Sequence, residues 1–148
     1  MQENIKATGK LTIVLRDEHG NIKEEHNHEN LVVTTGLEHI ASRMAGTAQG
    51  VMSHMEVGTS STSAAAGQTA LIGGGLTLGR QAFDSYTASG ATVTGVATFA
   101  AGEGTGALTE AGMFNASSAG TMLCRTVFAV VNKGASDTMA ITWTITIS

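Results

Sequence analysis

The sequence predicts a mainly β protein, an antiparallel β-sandwich or small jelly roll with one short helix and a projecting N-terminal hairpin. Three observations carry this expectation. The final ten residues alternate without a fault: Met139, Ile141, Trp143, Ile145 and Ile147 take one face, and Ala140, Thr142, Thr144, Thr146 and Ser148 take the other, as on a strand with one buried side. Comparable segments, separated by clusters of Gly, Asn, Asp and Ser, recur at spacings of roughly 10 to 15 residues. Only one stretch has the apolar spacing of a helix.

Taken in order, residues 10–16 set Leu11, Ile13 and Leu15 on one face, and Asp17-Glu-His-Gly-Asn21 follows as a turn signal. The return segment, residues 22–30, has no apolar face after Ile22. Such a strand is expected outside the sandwich, projecting or at an edge, where charge discourages uncontrolled pairing but permits pairing with a chosen neighbour. In the helix expected over 35–45, Thr35 and Glu38 fit a capping box, Leu37, Ile40, Ala41 and Met44 form the apolar stripe, and Gly46 ends it.

Residues 51–58 read as a short strand, and residues 59–75, rich in Ser, Ala, Thr and Gly, as an irregular loop that is long for one domain. Residues 76–86 and 91–99 are expected to pair through a turn at Ala88-Ser-Gly90. Residues 107–115 form a further strand, and residues 121–132, apolar on both faces, the most buried one. The turn Lys133-Gly-Ala-Ser-Asp137 then leads to the terminal strand, completing an expected C-terminal meander. The core residues this implies are Leu37, Ile40, Phe99, Phe114, Phe128, Ile141, Trp143 and Ile145.

At 148 residues the chain is read as one domain, 1–148, with 8–33 as strand and polar hairpin arm and 34–148 as helix plus sandwich. Charged residues make up 14%, against a usual share of roughly 25%. Small residues must finish the surface, which suits being covered by neighbours. A net charge of −4 with scattered Lys and Arg argues against nucleic acid as partner. No apolar run approaches the roughly 18 residues of a membrane span, and the first residues lack a basic start and apolar core. The expectation is a protein made in a cytoplasm, with no membrane partner. With 19 glycines and no proline, turns must rest on Gly, Asn, Asp and Ser.

The most chemically suggestive cluster is His26-Asn27-His28, because two histidines at i and i+2 share a strand face, and His19 lies across the turn. Imidazoles with Glu24 or Glu29 are competent metal ligands. Against this, a polar hairpin serves equally as a contact surface, which makes Glu18, Lys23, Glu25, His26, His28 and Glu29 interaction candidates, joined by Ser61 and Gln68 of the long loop. Alternation places the single Cys124 in the core, where thiols are inert. Gly102–Gly106 and Gly73–Gly75 lack the spacing and flanks of nucleotide loops. No nucleophile, base and orienting group can be assembled, so neither an enzyme nor a cofactor is expected.

Four segments, Asn30-Leu-Val-Val-Thr-Thr-Gly36 with its helix, Met52-Ser-His-Met-Glu-Val-Gly-Thr59, Leu108-Thr-Glu-Ala-Gly-Met-Phe-Asn115 and Thr121-Met-Leu-Cys-Arg-Thr-Val-Phe128, resemble small tailed-bacteriophage virion structural proteins. The resemblance runs from about Gly9 to the end. It implies a non-enzymatic virion component with no catalytic residues to carry over. A short domain without heptads or fibrous repeats fits a capsid decoration or cement protein. The partners then implied are the major capsid protein and further copies of the chain in a homo-oligomer. The location implied is the capsid surface, after synthesis in the host cytoplasm. A tail fibre, collar or baseplate module is the alternative within that class, and a metal- or carbohydrate-binding module the alternative outside it.

Overall fold

The computed structural model of the chain describes residues 5–47 and 49–148. Its strands are β1 (Ala7–Arg16), β2 (Ile22–Val32), β3 (His54–Gly58), β4 (Arg80–Ala82), β5 (Ser85–Ser89), β6 (Thr92–Phe99), β7 (Gly106–Phe114), β8 (Met122–Lys133) and β9 (Thr138–Ile147), with one helix, α1 (Thr34–Met44). All neighbours are antiparallel, in the order β4-β3-β7-β8-β2-β1-β9-β6-β5. The ladder curls into a sandwich. Its two halves are joined through β2, which pairs with β1 over most of its length and with β8 only at Leu31 and Val32.

Alternation builds the core from both halves. In one half, cross-strand rows set Leu11 beside Trp143 and Gly95, Ile13 beside Ile141 and Ala97, and Leu15 beside Met139 and Phe99. In the other, Met55 faces Met113, which faces Cys124, and Val57 faces Ala111. These residues pack into one buried cluster. Trp143 is fully buried, and its indole N–H donates to Asn30 Oδ1 at 3.0 Å, so the largest core side chain keeps no unmet donor. Ile145 and Phe128 are buried with them, while Phe114 is buried in a second small cluster with Val33 and Met122.

Several expectations are corrected. The hairpin does not stand off as an arm: β1 pairs with β9 along its whole length and lies between β9 and β2 from Gly9 to Arg16, and only β2 takes the edge position that its polarity allows. The C-terminal strands do not form a meander. β8 pairs with β7 and β2, whereas β9 pairs with β1 and β6, because each strand has a core-facing side and the turn carries the chain across the sandwich. The strand expected over 76–86 is split into β4 and β5 by a corner at Phe83 and Asp84, whose N–H groups bond Ser53 and Val96 carbonyls in the two different halves.

The helix is also turned relative to its apolar stripe. Val33 precedes its first turn without a side-chain cap, and the Thr35 hydroxyl instead donates to the Met122 carbonyl at 3.0 Å. Leu37, expected in the core, is 52% exposed. The buried face is made by Gly36 and His39, with Ile40 packed against the core. At Gly36 a Cβ would collide with the Leu123 carbonyl, so glycine lets the helix lie directly on β8. Gly36→Ala would raise the stability of a free helix by about 1 kcal/mol. Here it is expected to lower unfolding stability by about 1–3 kcal/mol in urea titration, and an unchanged or raised midpoint would contradict the close approach.

Candidate functional site

Three surfaces stand out: the long loop, the polar strand β2, and a groove beside α1. The loop, residues 59–75, lies against the β3 and β7 side that faces away from the core. Its ends bond one another, Thr59 N–H to the Gly73 carbonyl at 3.1 Å, and the Ala66 carbonyl accepts from Thr34 N–H at 2.8 Å. A closed, self-packed loop of this kind is a fixed part of a surface.

Two carboxylates hold it. Glu110 of β7 and Arg125 of β8 form a fully buried ion pair, with Arg125 Nε and Nη2 donating to Glu110 Oε2 at 2.9 and 2.7 Å. The same carboxylate accepts the backbone N–H groups of Ser60, Ile72 and Gly73. Arg125 Nη1 completes its set on the Thr62 carbonyl, 2.8 Å, and Gln68 Oε1, 3.1 Å. The second carboxylate, Glu56 of β3, takes Arg80 Nε and Nη2 and the Gly75 N–H. Arg80 also donates to the carbonyls of Ala116 and Ala119 and lies over the Phe114 ring, 3.8 Å from its centre. Buried charge is tolerated when it is paired and hydrogen-bonded, and here every nitrogen of both guanidiniums has a partner. Glycine makes the room: a Cβ at Gly58 would strike Glu110 and the Gly73 carbonyl.

Of the interaction candidates on the loop, Ser61 is exposed, while Gln68 is half-buried and already bonded to Arg125, Ala65 and Ser63. On the hairpin, Glu18 and His19 sit in the exposed turn, 3.4 Å from each other. Lys23 reaches across to Asp137 of the turn after β8 at 2.9 Å. Glu25 and Glu29 are exposed.

His26 and His28 do share a face, with ring centres 5.9 Å apart, and they share it with the core. In the β1–β2 register Glu24, His26, His28 and Asn30 stand opposite Leu15, Ile13, Leu11 and Gly9. His28 packs against Phe128 of β8, the ring centres 5.6 Å apart and the planes tilted by 32°. The diverging strands β2 and β8 are therefore bridged by rings, and His28 Nε2 is buried without a hydrogen-bond partner. Among the described residues no three His, Cys, Asp or Glu side chains are grouped to hold a metal ion. His19 contacts Glu18 at the turn, not the two strand histidines. Cys124 is buried, and burial pushes its thiol well above the ordinary range, leaving little thiolate for chemistry.

The groove beside α1 has a volume of about 390 Å³ and is lined by Ile40, Met44, Met52, Tyr86, Leu123 and Ile145 among others. Among the described residues no helix is long and apolar enough to cross a membrane. Comparison with protein-family models, curated proteins and solved structures gives no match.

The sequence reading missed Glu56, Arg80, Glu110 and Arg125. For Glu110 and Arg125 the signal is one charge in the middle of each of two otherwise uncharged segments, Leu108–Phe114 and Met122–Phe128, of opposite sign and joined by a short turn.

Burial, reinforced by the charge of His26, holds the His28 pKa below its ordinary 6.5. The folded state therefore prefers neutral His28. Its contribution to stability is complete above pH 6.5 and is lost as the pH falls toward the depressed folded value. His54 is depressed the same way, by burial and then by Arg80. Melting temperature is expected to fall with pH below 6.5 in the parent protein and to fall less steeply in His28→Gln. Identical slopes would contradict the buried, neutral imidazole.

Proposed function

We propose that this chain is a non-enzymatic structural component of a tailed-bacteriophage virion, a decoration or cement protein that binds the major capsid shell and bridges neighbouring subunits. Beside the sequence resemblance, the observation that carries the reading is the pinned loop: a long, uncharged surface segment held in place by buried ion pairs. A segment ordered in advance loses little conformational entropy when a partner covers it. The flat threonine face of β9 adds a second small-residue surface, with Thr142 exposed and Thr144 and Thr146 half-buried. Binding only to the assembled shell stabilises it by mass action, and contacts that span subunit borders add to one another.

Removing the whole loop would bare Glu110 and Arg125, so exposed-position substitutions are the cleaner test. Ser61→Arg, with an unchanged melting temperature, is expected to reduce the number of copies bound per capsid by about tenfold at subsaturating protein, measured by co-sedimentation with capsids of the phage that encodes the chain. Full occupancy by the variant would remove the loop from the contact. Binding of the parent protein confined to tails would overturn decoration in favour of a tail component.

A further inference from the structure

Strand β2 has a neighbour on only one side for most of its length. Among the described residues it pairs with β1 from Ile22 to Asn30, whereas β8 joins it only at Leu31 and Val32. Two bonds show which backbone groups face the open side: the Glu29 carbonyl accepts the Thr126 hydroxyl at 2.8 Å, and Val33 N–H donates to the Leu123 carbonyl. Because successive residues of a strand direct their N–H and C=O to opposite edges, Glu25 and Asn27 also present both groups outward. Nothing among the described residues pairs with them.

We propose that two copies of the chain associate through this edge, β2 against β2 antiparallel about a two-fold axis at His26. The charges select the register. Centring the axis on Glu25 sets that carboxylate against its own copy, and centring it on Asn27 sets Glu25 against Glu29 twice. Centring it on His26 sets Glu25 opposite Asn27 and Glu24 opposite His28, with no carboxylate facing another, while Lys23 stays on Asp137 and the Glu29 carbonyl on Thr126. The same register makes Glu25 and Asn27 the hydrogen-bonded pair, as their outward backbone groups require. It also places Glu24 of the second copy across from His28, whose buried Nε2 lacks a partner. Opposite charges directly across an antiparallel pair stabilise it, and like charges destabilise it. A two-fold axis forms each contact twice. The inference rests on the strand edge alone and holds whether or not the protein serves a capsid.

Sedimentation equilibrium of the full chain over a range of loading concentrations tests it. The parent protein is expected to show a monomer–dimer equilibrium. Asn27→Lys faces Glu25 twice and should tighten the dimer by about tenfold, whereas Asn27→Glu should weaken it by about tenfold. Both variants lose the same Thr12 hydroxyl bond to Asn27 Oδ1, so a purely structural effect would move them together. Glu25→Pro removes an N–H that faces the neighbour while leaving the β1 ladder intact, and should be monomeric. Should it fail to fold by circular dichroism, the two Asn27 variants decide. A parent protein that is monomeric throughout, or Asn27 variants that shift association in the same direction or not at all, would overturn the proposal.

Discussion

The buried pair between Glu110 and Arg125 is the constraint on which the outer surface of this protein depends. Both charges sit on strands whose other side builds the main core, and neither reaches water. Five donors converge on the one carboxylate, two from the guanidinium and three from the backbone of the loop. Removing either charge would leave the other buried and uncompensated, at a cost of about 3–5 kcal/mol. A well-packed apolar pair can be as stable, so the significance of the ion pair lies in specification. It defines where a 17-residue segment of small side chains must lie, which hydrophobic contact could not do for a segment holding so few large apolar groups.

The sandwich itself follows from simpler forces. Rows of aliphatic and aromatic side chains from both halves share one core, and two corners keep the halves together: β2 passing from one to the other, and the turn at Phe83 and Asp84. Along one side, the seam between β2 and β8 is left without a ladder. It is spanned by the Lys23–Asp137 pair, by the Thr126 hydroxyl on the Glu29 carbonyl, and by the His26, His28 and Phe128 rings. The Lys23 ammonium holds the Asp137 carboxyl below its ordinary range, helped by the Gly134 N–H. The edge is thus polar inside and outside, the usual composition of a strand that must not pair indiscriminately.

The strands were legible because a period of two survives in sequence wherever one face is buried. The terminal strand, β1 and β6 follow it. What was not legible is relational. That β8 and β9 belong to different halves depends on which way a turn folds over, and a sequence of Gly, Ala, Ser and Asp permits either. Helix α1 illustrates a local signal overridden by packing: its apolar stripe names Leu37, yet Gly36 is the residue that can approach the Leu123 carbonyl, so the helix rotates to bury Gly36 and His39. Length and composition mark the loop, but the charges that anchor it lie far from it in sequence, and Gln68 is held inward by one of them. The polarity of β2 predicts a strand outside the sandwich, whereas its histidines occupy the inner side of an open seam.

Backbone hydrogen exchange at Ser60, Ile72 and Gly73 tests the central role of the ion pair most directly. If their N–H groups are held on buried Glu110, they exchange as slowly as the β7 ladder in the parent protein, and in Arg125→Met they speed up while the amides of β1 and β9 keep their protection. Rapid exchange at all three in the parent protein, at the rate of an open surface loop, would contradict the account.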